Sequence, residues 1–379
     1  MALVLTEEQE LLRDSARGFV ADQWNIDRLR KLRSMSSGRG HDEDLWKQMA
    51  ELGWTGIPFA EEYGGLGLGY AELGVVLEEL GRGLVVAPFL SSIVLAGSAV
   101  ALGGNDAQRK SLLPGVCDGT RLLALAYQES PRHDPYAIAT AARLDGDDYL
   151  LSGRKVLVLD GESADLLVVA ARTGGSTGDR DGLTLFLVAS DVPGLTLKRN
   201  VLLDSRCAVN IELDNVRVES NSVLGAPGTG ADVLDEVFAR AAVALSAEML
   251  GGIQESFDRT VEYLKERDQF GVKIGTFQGL KHRAARWFCE VELTRSIVMD
   301  ALRAIDEQRE QQAMLASACK ARASDTYRLC GKEGIQMHGG MGVTDEADIG
   351  FFMKRARVSE LLLGDSTYHR NRFAELGGY

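Results

Sequence analysis

Several ordinary features are scarce or missing in this 379-residue chain. No apolar run approaches the roughly 20 residues that cross a bilayer, and the first residues lack the basic-then-apolar order of a secretory signal. A cytoplasmic protein with no membrane partner is therefore expected. The five cysteines, Cys117, Cys207, Cys289, Cys319 and Cys330, are odd in number and widely spaced, with no C-x-x-C pair. That pattern points away from a disulfide frame or a zinc knuckle and fits a reducing compartment. His133, His282, His338 and His369 have no second ligand at metal spacing, so no metal is expected and surface or capping roles are. Positive charge is in deficit as well. The net charge is -13 with no basic stripe, which argues against a nucleic-acid partner. No repeat or extended low-complexity segment occurs, and the glycines at 64, 65, 67 and 69 have neither the preceding strand nor the G-x-G-x-x-G spacing of a dinucleotide loop.

What is present is a core-forming composition, 45% hydrophobic and 26% charged, in a chain long enough for two or three domains. Thr6 to Gln9 has capping-box spacing, and Leu11, Leu12, Ala16, Phe19 and Val20 then recur at helical intervals. Ser34 to Gly40 reads as a mobile, polar break, and helical texture resumes until about Gly119. Short apolar runs follow at Leu122 to Tyr127, Ala139 to Leu144, Tyr149 to Leu159, Leu166 to Ala171, Leu183 to Val188 and Val209 to Val218. Asp145 to Asp148 is a hairpin turn signal, and the middle third reads as an antiparallel sheet. Helical texture returns over Ala231 to Glu266, Gly279 to Ile305, Gln311 to Ile335 and a last helix through Arg355 to Phe373.

The chemistry centres on Glu266 to Gln278, E-R-D-Q-F-G-V-K-I-G-T-F-Q. Helix formers end there, an aromatic and a glycine break the run, and Thr276 offers an N-cap to the next helix. A guanidinium beside two amides and two phenylalanines suits a diphosphate with an aromatic ring next to it. Taken alone, an arginine capping helix carbonyls and two core phenylalanines is the commoner arrangement.

Further motifs shift that balance. Arg267-Asp268-Gln269-Phe270-Gly271 with Phe277-Gln278, and Gln336-Met337-His338-Gly339-Gly340-Met341-Gly342, resemble the acyl-CoA dehydrogenase family. Leu52-Gly53-Trp54, Glu61-Glu62-Tyr63-Gly64-Gly65 and Leu151-Ser152-Gly153-Arg154-Lys155 agree in place, so the resemblance covers essentially the whole chain. It implies an α+β fold: an N-terminal α-helical domain over 1–119, a central antiparallel β domain over 120–225, and a C-terminal four-helix bundle over 226–379 that makes the oligomer contacts. It also implies FAD shared across a subunit boundary, with Arg267, Gln269, Phe270, Gln278, Gln336 and the Gly339-Gly340 backbone on its diphosphate and adenine half. The reaction implied is α,β-dehydrogenation of an acyl-CoA thioester, with electrons passing to FAD and then to an electron-transfer flavoprotein.

The chain departs from the family where chemistry is expected. The usual base is a Glu before Gly-Thr on the last long helix; that position is Leu363, followed by Gly364 and Asp365. The alternative position, on the first helix after the sheet, is Ala241. Where the family has Thr-Glu-Pro and Gly-Ser-Asp, this chain has Gln128-Glu129-Ser130-Pro131-Arg132-His133-Asp134-Pro135, and Leu157-Val158-Leu159 stands for Trp-Ile-Thr. Hydroxyls that would bond the flavin ring are gone. The leading expectation is a base-lacking subunit paired with an unlike homologous chain in a heterotetramer. A self-sufficient homotetramer with a relocated base (Asp365, Glu248 or Glu360), a non-catalytic acyl-CoA-binding scaffold, and a flavin oxidase or monooxygenase on the same fold remain as alternatives. Gly364 and Arg240 are candidate substrate contacts.

Overall fold

The computed structural model describes residues 4–34 and 38–379; the centre of the break expected at Ser34 to Gly40 lies outside the described residues. The first helices are α1 (Glu7–Gln23), α2 (Ile26–Ser34), α3 (Glu43–Glu51) and α4 (Tyr70–Arg82). A π-helical segment, Phe89–Gly97, leads into α5 (Ser98–Gly103) and α6 (Asp106–Cys117). The strands are β1 (Leu123–Ala126), β2 (Ala141–Asp145), β3 (Asp148–Leu159), β4 (Leu166–Arg172), β5 (Leu183–Ala189), β6 (Leu195–Val201), β7 (Cys207–Val218) and β8 (Val223–Leu224). Then come α7 (Gly230–Glu266), the short strands β9 (Asp268–Gln269) and β10 (Val272–Lys273), and α8 (Gln278–Asp306), α9 (Gln312–His338), α10 (Ile349–Leu361) and α11 (Ser366–Leu376). The order helices, sheet, helices is the expected one.

Local chemistry explains most of these boundaries. Thr6 and Gln9 form the capping box their spacing predicts. Gly146, at φ +68°, closes the β2–β3 hairpin. Three expectations need correction. The segment from Arg355 to Phe373 is two helices rather than one, broken where Leu363 and Gly364 take positive φ and Asp365 caps α11. Thr276 does not cap α8, because its hydroxyl donates to the Lys273 carbonyl and Phe277 occupies the cap position. β6 escaped notice, since Leu195-Thr196-Leu197-Lys198-Arg199 is a half-exposed edge strand with charge in its pattern.

By spatial grouping the chain forms two compact units, Met1–Lys31 with Tyr70–Val85 and Ala242–Tyr379, and Leu32–Gly69 with Val86–Ala241. The second unit holds the sheet, ordered β6-β7-β3-β2-β4-β5-β8 with β1 beside β4. Pairing is antiparallel except that β1 and a single β2 position run parallel to β4. Leu151, Leu167, Val169, Phe186, Val209, Ile211 and Val216 fill one continuous core. β3 bulges twice against β7, and Leu157, at φ +54°, sits in the second bulge. Such a bulge re-aims the side chains that follow.

The first unit packs α1, α4 and the helices after residue 242. Helices α4 and α7 approach at glycines: a Cβ on Gly81 would lie 1.9 Å from the Glu248 carbonyl oxygen, and one on Gly251 would lie 1.8 Å from that of Glu78. Beside this crossing a buried ion pair joins Glu248 of α7 to Arg355 of α10 at 2.8 Å. The same guanidinium donates to the Leu84 and Val85 carbonyls just past the end of α4.

Candidate functional site

In the first unit, α7 runs straight into the β9–β10 hairpin, and the hairpin turns at Phe270 and Gly271, both at positive φ. Lys273 pairs with Asp268 at 2.6 Å. Arg267 is left exposed, its guanidinium with no hydrogen bond or ion pair among the described residues. Phe270 is 89% exposed and meets Phe277 edge-on at 6.2 Å. Gln269 and Gln278 are exposed on the same loop.

The second motif lies next to the first. Tyr263, one turn before Arg267, stacks on His338 at 4.3 Å, and its hydroxyl donates to the His338 carbonyl at 3.3 Å. Burial pushes the His338 imidazole below its usual range, partly offset by its bond to the Gly334 carbonyl. Gly339 and Gly340 follow with open space where a Cβ would stand, and Gln336 is exposed beside them. An unpaired guanidinium, a solvent-facing ring, exposed amides and open backbone are what a diphosphate and a flat heteroaromatic ring require. The adenine-side residues therefore fit the group that the motifs imply.

The ring-side segment, in the second unit, has different chemistry. Lys155 is fully buried, and its ammonium meets the Glu129 carboxylate at 2.6 Å. Burial pushes Lys155 down to about 8 against the pull of Glu129. Burial likewise raises Glu129, yet Lys155, Thr140 and the Ala139 amide outweigh it and hold that carboxyl below the ordinary range. The Arg172 guanidinium, also buried, donates to the carbonyls of Tyr136, Ile138, Asp179 and Asp181. Tyr127 Oη lies 2.8 Å from His133 Nδ1, and both rings pack on Phe238 of α7. So the segment is firmly held, but Leu157, Val158 and Leu159 offer a ring no hydroxyl. Val158 and Leu159 are buried.

The positions expected to carry a base are apolar and enclosed: Leu363 is buried between α10 and α11, and Ala241 is buried on α7. Asp365 is exposed and accepts the Tyr368 amide at 2.9 Å. Glu248 is paired with Arg355, and Glu360 with Arg357 at 2.8 Å. Arg240 is half-buried on α7. His369, expected in a surface or capping role, is buried, and its Nε2 donates to the Leu363 carbonyl just past the end of α10 at 2.9 Å. Among the described residues no group of three His, Cys, Asp or Glu is placed to hold a metal, and no helix is long and apolar enough to cross a membrane.

Sequence reasoning gave no role to Arg172, Lys320 or Arg355 and quoted Lys155 only as the end of a motif, because nothing local marks any of the four as buried. Lys320, on α9, is fully buried, and burial pushes its ammonium down to about 7 despite the fields of Glu360 and Asp365. The folded chain thus releases this proton near pH 7 and the unfolded chain near 10.5. Fewer protons are bound when folded across that window, so this group makes the unfolding free energy rise with pH there, and its penalty is fully present below pH 7. Lys320→Met is expected to lack that rise. Urea midpoints of the two proteins should diverge in favour of wild type as pH increases through the window, and a constant gap would refute the assignment.

Three family descriptions match the chain: acyl-CoA dehydrogenase N-terminal domain over residues 6–120, middle domain over 125–216 and C-terminal domain over 228–377. Mitochondrial isovaleryl-CoA dehydrogenase of Pongo abelii is 30% identical, across 97% of this chain and 88% of its own. Acyl-CoA dehydrogenase FadE12 of Mycobacterium tuberculosis is 28% identical across 95% and 93%. A solved variant of the Tcur3481-Tcur3483 steroid ACAD is 33% identical, with 98% of each chain covered and a TM-score of 0.87. With its two sequence motifs brought side by side and its length matched by all three domain descriptions, the chain belongs to the acyl-CoA dehydrogenase family.

Proposed function

We propose that this chain is the base-lacking subunit of a heteromeric acyl-CoA dehydrogenase, donating the adenine-side contacts for FAD while an unlike homologous chain supplies the catalytic carboxylate. Members of the family are FAD flavoproteins. When bound, FAD accepts the hydride in the α,β-dehydrogenation of an acyl-CoA thioester, and an electron-transfer flavoprotein is the onward acceptor. This chain's part is to grip and orient. Arg267 holds the diphosphate as a charge-assisted fork, Phe270, Gln269 and Gln278 receive the adenine half, and Gln336 with the Gly339-Gly340 backbone completes it. Gly364 and Arg240 stand for the thioester contacts.

The observation that carries the reading is an imbalance: the adenine-side residues are exposed, Arg267 with no hydrogen bond or ion pair among the described residues, while Leu363 and Ala241, the two expected base positions, are buried hydrocarbon. A proton leaving carbon needs a carboxylate in a dry site. The remaining acidic candidates are engaged elsewhere, Asp365 in a helix cap, Glu248 and Glu360 in ion pairs. An open groove of about 780 Å³ between α8, α9 and α11 mixes apolar residues, among them Leu293, Leu329 and Phe373, with the charged Glu290, Arg322, Asp325, Arg328, Lys332 and Arg370, a combination compatible with a neighbouring subunit. Residues 1–119, 120–225 and 226–379 are taken as the family's three functional domains, the last making these contacts. The similarity to a steroid ACAD supports a bulky acyl group as substrate.

The test is the FAD released per chain, from the protein expressed alone and co-expressed with an adjacent homologous gene. Little flavin alone and about half an equivalent per chain together is the expected result, since one ring half-site serves each pair. A full equivalent alone, with acyl-CoA oxidation, refutes it in favour of a self-sufficient homotetramer. Little flavin in both refutes it in favour of a scaffold.

A further inference from the structure

Between α10 and α11 four residues form a turn that their own preferences disfavour. Leu363 sits at φ +61°, left-handed backbone that a branched side chain avoids. Gly364 follows at φ +100°, and a Cβ there would come within 2.4 Å of the Tyr368 ring. Such a conformation persists only where neighbours over-determine it.

Three groups do so. Lys320 Nζ reaches across from α9 to the carbonyls of Gly364 at 2.9 Å and Glu360 at 3.2 Å, and to Ser324 Oγ at 3.1 Å. His369 donates Nε2–H to the Leu363 carbonyl, and Asp365 receives the Tyr368 amide. In the protonated form, the three N–H bonds of the ammonium thus find three acceptors, none a carboxylate. It stands at the C-terminal end of α10, where orphaned carbonyls and the helix dipole favour a cation. A methionine would fill the same volume with no desolvation penalty. What the lysine adds is control of two carbonyls flanking Leu363.

We propose that Lys320 is the positioning residue of this turn, fixing Leu363 as a wall against the acyl group of the bound thioester. The proposal rests on the reading above that the turn faces the acyl-CoA. In the assembled protein, Lys320→Met is expected to speed amide exchange across residues 361–367 while leaving α8 unchanged. Octanoyl-CoA, used as probe in calorimetric titration, is expected to bind about tenfold more weakly, the scale of one strong hydrogen bond, with free coenzyme A unaffected.

Unchanged exchange overturns the clamp. Faster exchange with octanoyl-CoA and coenzyme A equally affected, or neither affected, reduces Lys320 to a structural residue and overturns the positioning role. If the methionine variant fails to fold, Lys320→Gln keeps one donor and is expected to give intermediate values of both readouts; wild-type values would overturn the proposal. Wild-type protein that binds neither octanoyl-CoA nor free coenzyme A overturns the acyl-CoA reading itself, whereas wild-type affinity retained in a loosened variant overturns only the role of Lys320.

Discussion

Arg355→Met is expected to lower the unfolding free energy by about 3–5 kcal/mol, the range found when one partner of a buried ion pair is removed. Arg355 is 2% exposed and Glu248 9%, so the stranded carboxylate has little access to water. The loss reaches further than the pair. Arg355 also serves the Leu84 and Val85 carbonyls, and Leu84 itself holds positive φ at the end of α4. Changing Glu248 to Met as well removes the stranded charge, so the double variant should be more stable than Arg355→Met alone. Urea midpoints of the two variants decide this. A single-variant loss under about 1 kcal/mol would mean that water reaches Glu248 and the pair behaves as a surface one.

Arg267→Ala has its large effect elsewhere. The side chain is exposed and makes no hydrogen bond or ion pair among the described residues, so the urea midpoint should stay within error of wild type. FAD retention in the assembled protein should fall. A hydrogen bond to a charged group contributes about 1.5–3 kcal/mol, which corresponds to roughly 10- to 100-fold in dissociation constant. Arg267→Lys should recover only part, because an ammonium offers a point charge where the guanidinium offers a planar fork. Flavin released after dialysis is the readout. Unaltered retention in Arg267→Ala would remove the diphosphate from this loop and with it the adenine-side assignment.

Much of the architecture could be read in advance because local chemistry and tertiary structure agree there. The Thr6 capping box, the Gly146 hairpin and the uninterrupted run from Ala231 to Glu266 each carry their own signal. The residues proposed for the adenine side lie in two short motifs, each visible in the sequence, that the Tyr263–His338 stack brings together. Elsewhere the deciding contact is distant in sequence. Lys155 is a strand residue whose partner is 26 positions away, and Lys320 acts on a carbonyl 44 positions away. The break at Leu363 had a local cue, a Gly and an Asp at C-cap and N-cap spacing, but the helical periodicity on either side outweighed it.

The turn at Leu363 has an evolutionary consequence. Its path is set by Gly364, by Lys320 and His369 acting on carbonyls, and by the Asp365 cap, none of which involves the side chain at 363. Position 363 can therefore change identity without changing the backbone that presents it. After a gene duplication, one copy can exchange a carboxylate for a hydrocarbon there and still fold, assemble and retain its surface. A carboxylate can return at 363 through a single codon, whereas the hydroxyls absent from Leu157, Val158 and Leu159 need changes of their own.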